Sequence, residues 1–221
     1  MNPLYEIINW KLVYLNDLLE PKEAEVDLKV YEKFVKKFKD KILEKEPLGL
    51  CNLNKVYFFY PYTLGYWYPK TNIVKYFQIA KTWDEKYCEK IFDFIKNKVL
   101  EFAKNYEAVV FVPYSVKRKC NVLDYLKNYL KQNWVKIIDS YQVLEWNEIK
   151  NIKSLKEKFY TASKKFDVET PVENYEKILI IDDMVNTWAS MCAIASKLPE
   201  NIQIDGLWIV GSLSNEMVSD I

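Results

Sequence analysis

Apolar positions along the chain switch between two rhythms, and the switching predicts its elements. Between residues 22 and 46, Val26, Val30, Phe34, Phe38 and Ile42 recur at every fourth position among lysines and glutamates. That is the stripe of an amphipathic helix over 24–45, bracketed by Pro21 and Pro47. KVYFFYPY at 55–62 is aromatic and β-branched and reads as a strand. From about Trp83, the spacing of Tyr87, Ile91, Phe94, Ile95 and Phe102 marks a second helix that ends near Asn105. AVVFV at 108–112 is a continuous apolar run closed by Pro113, which suits a strand buried on both faces of a parallel sheet.

The alternation then repeats. A helix over 121–132, with Val122, Leu126, Tyr129 and Leu130 inward, leads to a strand WVKII at 134–138. The polar, Lys-rich stretch 143–170 is long for a simple connection, which in a compact domain makes it functional or partly helical. KILIID at 177–182 is the plainest strand of all, followed by a helix over 187–198 and a last strand, GLWIVGS, at 206–212. This order predicts an α/β fold, a mainly parallel central sheet flanked by helices, over residues 106–221. Residues 1–105 are expected to form a helical and aromatic N-terminal extension, or hood, packed on that core.

Composition narrows the chemistry. Of 221 residues, 50% are apolar, enough for one sizeable cored domain. Lys and Arg number 32 against 31 Asp and Glu, so no global positive charge points to nucleic acid, which is disfavoured as a partner. Apolar runs fall far short of the roughly 18 residues needed to cross a bilayer, and the opening residues lack a basic segment followed by an apolar one. No membrane partner is expected, and the expected location is cytoplasmic. The absence of His excludes Ser-His-Asp and Cys-His machinery and any imidazole base. Cys51, Cys88, Cys120 and Cys192 lie far apart without a CxxC, so zinc is disfavoured and buried or half-buried small hydrophobes are expected. With only 4 glycines, no Gly-rich loop or flexible linker is hidden in the chain.

The chemistry-bearing segment runs from Ile178 through Ser190. An apolar strand ends in Asp182 and Asp183, and a short polar turn then opens a helix. At the carboxyl edge of a parallel sheet, a helix N-terminus offers unpaired N–H groups to a phosphate. Thr187 and Ser190 add hydroxyls. Two adjacent carboxylates accept hydrogen bonds from a sugar diol or hold a hydrated Mg²⁺, so the layout suits a phosphorylated sugar. The blander reading is a solvated strand end that caps a helix.

This segment resembles the phosphoribosyl-diphosphate (PRPP) motif of type I phosphoribosyltransferases, in which four apolar residues precede two acids and a Thr-Thr-Gly-like turn. Over roughly residues 108–212 the chain is closest to the competence-protein-F-like (amidophosphoribosyltransferase-like) subgroup. Val112-Pro113 followed by Arg118-Lys119-Cys120-Asn121 is similar to that subgroup's Val-Pro and Arg-Gly-Phe-Asn. Leu155, Lys158, Thr161, Phe166 and Val168 fall at the spacing of its Leu, Arg, Asn, Phe and Val in the loop before the PRPP strand. The resemblance implies a type I phosphoribosyltransferase-like core with PRPP or another ribose-phosphate ligand as partner and Mg²⁺ as cofactor. It implies that Asp182 and Asp183 meet the ribose hydroxyls and the metal. Asn186, Thr187, Trp188, Ala189 and Ser190 would hold the 5′-phosphate, while Pro113, Tyr114, Ser115, Arg118 and Lys158 would meet pyrophosphate.

The chain departs from the pattern at several positions. Asn186 replaces the first Thr of the turn, and Trp188 sets a bulky ring where a Gly is usual. Lys119 replaces a Gly, Thr161 an Asn, and Lys158 an Arg whose planar fork is lost. The implied activity is phosphoribosyl transfer to or from a base or amine. The alternative is a catalytically inactive protein of the same fold, a nucleotide sensor or protein-interaction module. Receiver domains share the apolar strand and paired acids but place most of their fold after them, and chain order rejects that reading. Lys153, Lys156, Lys158, Lys164 and Lys165 read either as a cover for pyrophosphate or as a solvated helix face. The aromatics of 57–83 read as core, as a subunit contact or as a stacking surface for a base, and with the stripe at 24–45 they leave room for a homodimer.

Overall fold

The computed structural model describes residues 51–61, 77, 85–114, 120–143, 155–169, 174–184 and 189–211, and the backbone alone of 5–8, 11–15, 21–23 and 43–45. In chain order the described elements begin with strands β1 (Tyr5–Ile8), β2 (Lys11–Leu15), β3 (Pro21–Glu23), β4 (Leu43–Lys45) and β5 (Leu53–Pro61). Helix α1 (Glu85–Ala103), β6 (Ala108–Phe111), α2 (Val122–Gln132), β7 (Ile137–Ile138) and β8 (Ser140–Gln142) follow. Then come α3 (Leu155–Lys165), β9 (Phe166–Val168), β10 (Lys177–Met184), α4 (Ala189–Ala195) and β11 (Gln203–Gly211).

The main sheet has the order β4-β5-β11-β10-β6-β7. From β5 to β7 all neighbours are parallel, and β4 joins β5 antiparallel at the edge. The protein is therefore α/β, with a mainly parallel sheet flanked by helices. Strands β1 to β3 form a separate antiparallel sheet, and β8 with β9 forms a two-stranded ribbon. The main sheet draws strands from both sides of position 106, since β4 and β5 pair into it alongside β6.

The continuous apolar runs follow from burial on two faces. Leu179 and Ile181 of β10 pack with Val109 and Phe111 beneath Ile91, Ile95 and Val99 of α1 and Leu126 and Leu130 of α2. Ile178 and Ile180 face the other way, with Ala108 and Val110, against Met191, Cys192 and Ile194 of α4 and Ala162 of α3. Alternate residues of one strand thus serve two cores, so a polar residue has no solvated face to occupy. The aromatics at 58–60 are core as well: Phe58, Phe59 and Tyr60 are buried, and Phe59 meets Phe102 of α1 edge-on with ring centroids 5.8 Å apart.

Three expectations need correction. Residues 24–42 of the first helix lie outside the described residues, but Leu43–Lys45 is a strand, because pairing with Val56, Tyr57 and Phe58 overrides helical periodicity there. The strand expected at 134–138 contracts to Ile137–Ile138. Trp134 and Val135 are used instead to close α2: Trp134 has φ 65°, its N–H donates to Lys131 O, and the Val135 N–H donates to Leu130 O. The last strand begins at Gln203 rather than 206. Asp205 hides it in the sequence, yet its carboxylate is buried at the amino edge of the sheet. There it accepts from Asn54 Nδ2 (3.0 Å), the Tyr106 hydroxyl (2.9 Å) and Gln203 Nε2 (3.3 Å). The 143–170 stretch is partly helical, as α3.

Candidate functional site

The carboxyl edge of the sheet is set by the register of β6 against β10. Phe111 lies opposite Ile181, and the Val112 N–H donates to Ile181 O at 2.9 Å. Beyond that bond the strands part. One continues into Pro113 and Tyr114 and the other ends in Asp182, Asp183 and Met184, all half-buried. The Asp183 N–H donates to Asp182 Oδ1 at 2.8 Å, which orients the first carboxylate.

Tyr114 joins this edge to α2. Its hydroxyl lies close to Asp124, in the first turn of that helix. Burial first, then the charge and hydrogen bond of Asp124, then the charge of Asp183 push the phenol well above the ordinary tyrosine range. Tyr114 is thus a proton donor at neutral pH. Asn121 caps α2 from an extended backbone conformation, its Oδ1 accepting from the Leu123 N–H at 3.0 Å. The side-chain Nδ2 of Asn121 is buried without a hydrogen-bond partner.

A cavity of about 330 Å³ opens beside Tyr114, between the exit of β6, the first turns of α2 and strand β8. Asp124 and Lys127 line it from the helix, and Ser140, Tyr141 and Gln142 line it from β8. Ser140 is anchored by its hydroxyl, which donates to Phe111 O. At the rim Lys127 pairs with Asp139, and Lys131 stands 3.8 Å from the same carboxylate. The hydrogen bond from Lys127 is the main reason that Asp139 is held below the ordinary carboxylate range.

Of the residues singled out in the sequence, Asp182, Asp183, Pro113 and Tyr114 come together at this edge. Ala189, buried, and Ser190, half-buried, lie in α4, which ends at Ala195 rather than 198. Ser115, Arg118, Asn186, Thr187 and Trp188 lie outside the described residues. Lys158 is half-buried on α3 and makes no ion pair with the two acids. Lys153 and the side chain of Lys156 lie outside the described residues; of the others, Lys164 is exposed, 4.1 Å above the Tyr160 ring, whereas Lys165 is buried beside Phe166. Sequence reading missed Asp124, Lys127, Ser140, Tyr141 and Gln142. The available signal was position alone, since Ser140 closely follows an apolar strand and Asp124 opens a helix at the same sheet edge.

Among the described residues no group of three or more His, Cys, Asp or Glu side chains is arranged to hold a metal ion. Asp182 and Asp183 supply two carboxylates. That donor set fits a largely hydrated Mg²⁺ shared with the phosphates of a ligand, since Mg²⁺ keeps several waters and commonly takes one or two carboxylates. No helix among the described residues is long and apolar enough to cross a membrane. Comparison of the chain with protein-family models and with curated proteins finds no match.

Proposed function

We propose that this chain is a phosphoribosyltransferase-like protein that binds PRPP, or a ribose 5-phosphate or nucleotide, with Mg²⁺ and transfers phosphoribose to or from a base or amine. The observation that carries this reading is the shared sheet edge, where two half-buried carboxylates end β10 beside the exit of β6 and the cavity next to Tyr114.

Breaking the bond between ribose C1 and pyrophosphate builds positive charge on the sugar. Catalysis then depends on holding the sugar and stabilising the leaving anion, which a chain without His can do. In this reading Asp182 and Asp183 accept from the ribose hydroxyls and hold the metal. Residues 186–190 bind the 5′-phosphate, while Pro113, Tyr114, Ser115, Arg118 and Lys158 face pyrophosphate. Bound Mg²⁺ supplies charge neutralisation of the leaving group. Tyr114 keeps its proton and donates.

A second reading, a nucleotide sensor or interaction module of the same fold, is favoured by Trp188 at the turn position where a small residue is usual. Incubation with PRPP, Mg²⁺ and a panel of bases and amines separates the two. Pyrophosphate release supports the transferase, and saturable binding without release supports the sensor. Failure to bind any ribose phosphate contradicts the transferase and the sensor and leaves the interaction module.

A further inference from the structure

The four cysteines, scattered in the sequence, meet as two pairs. Cys88 lies in the first turn of α1 and Cys120 directly ahead of the N-cap of α2, 32 positions apart in sequence, yet their Sγ atoms are 2.8 Å from each other. Both are buried, at 1% and 8% exposure. On the opposite face of the sheet, Cys51 packs against the core that holds Cys192, close enough for the two thiols to perturb each other. Four cysteines admit three pairings. The sheet stands between the two pairs, so each thiol has one partner in reach.

We propose that Cys88 and Cys120 form an intramolecular disulfide by exchange with a small-molecule disulfide, fastening the N-cap of α2 to the first turn of α1. The bond requires the sulfurs to close from 2.8 Å to about 2.05 Å. Cys120, the less buried thiol, attacks as a thiolate one sulfur of the small disulfide and expels one small thiolate, which takes up the proton that Cys120 released. Cys88, as a thiolate, then attacks the Cys120 sulfur of this mixed disulfide and expels the second small thiolate, which takes up the proton from Cys88. Two protein thiols are oxidised to one disulfide, and one small disulfide is reduced to two thiols. The inference stands apart from the proposed ligand, since neither sulfur belongs to the candidate site.

The test is a peptide map. The reduced, unfolded full chain is refolded in a mixture of oxidised and reduced glutathione, remaining thiols are alkylated, and digests are analysed by mass spectrometry with and without reduction. The expected result is a peptide joining Cys88 to Cys120 that vanishes on reduction. Recovery of folded protein with these cysteines alkylated, joined to glutathione, or joined to Cys51 or Cys192 would overturn the proposal. Natively purified protein treated with oxidised glutathione provides the same map if refolding fails, and is judged by the same criteria.

Discussion

Tyr114 and Asp183 leave neighbouring parallel strands at one sheet edge, close enough that the carboxylate helps to keep the proton on the phenol. The relationship follows from register. Once Phe111 is set opposite Ile181, the residues after them emerge together, and the hydroxyl that reaches Asp124 stands within the field of the strand-end acids. The sheet thereby assembles donors and acceptors from segments about 70 residues apart without a loop of its own design.

Replacing Tyr114 with Phe removes the hydroxyl beside Asp124 and keeps the ring. A contact between a hydroxyl and an exposed carboxylate such as Asp124 contributes up to about 1 kcal/mol. Urea unfolding of Tyr114→Phe should show a stability lowered by up to that amount, read as a lower midpoint at an unchanged slope. An unchanged midpoint would mean that the Tyr114–Asp124 contact contributes nothing.

Trp134 occupies the left-handed position that ends α2, with φ 65° and 95% exposure. An L-residue there is strained by roughly 1–2 kcal/mol, and little packing is lost when the indole is removed. Trp134→Gly is expected to stabilise the fold by up to about 1 kcal/mol, after allowance for the greater freedom of Gly in the unfolded chain. Thermal unfolding checks this, and a lower melting temperature would contradict it.

Gly211 ends β11 where an added Cβ would overlap the ring of Phe58 on the adjacent strand. Both residues are buried, so the ring has nowhere to retreat. Gly211→Ala should destabilise by about 1–3 kcal/mol, the range for overpacked cores. Equilibrium denaturation that matched the parent chain would show that the strand edge gives way.

The pairing of Asp139 with Lys127 sets a pH dependence. The folded-state value of Asp139 lies below its unfolded value, so its contribution is complete above about pH 4 and is lost as the pH falls through the lowered value. The Asp139 side chain is 43% exposed, so the effect is about a few tenths of a kcal/mol. Subtracting the stability curve of Asp139→Asn from that of the parent should leave a difference that fades on acidification. A difference that grew below pH 4 would reverse the sign.

Strands buried on both faces were legible because nothing but apolar residues survives there, as at 108–111 and 178–181. The two acids ending β10 were legible for the converse reason, since they break that run at its solvated end. The true start of β11 was not, because the three groups that satisfy Asp205 come from β5, the turn after α1 and β11 itself. Nor was the cavity, whose walls are assembled by the register of β6 with β7 and by the β8–β9 ribbon. The shortening of the strand at 134–138 depended on a left-handed Trp, a conformation for which sequence patterns expect Gly. Thiol pairing across 32 positions leaves no local trace at all.

Calorimetric titration of PRPP with Mg²⁺ tests the central proposal most directly, run on the parent chain and on the double variant Asp182→Asn, Asp183→Asn, with circular dichroism confirming that both are folded. The parent chain should bind with a saturable heat and the double variant should show none. Equal affinity in the two proteins, or no binding by the parent chain, would contradict the assignment of these acids to a ribose-phosphate site.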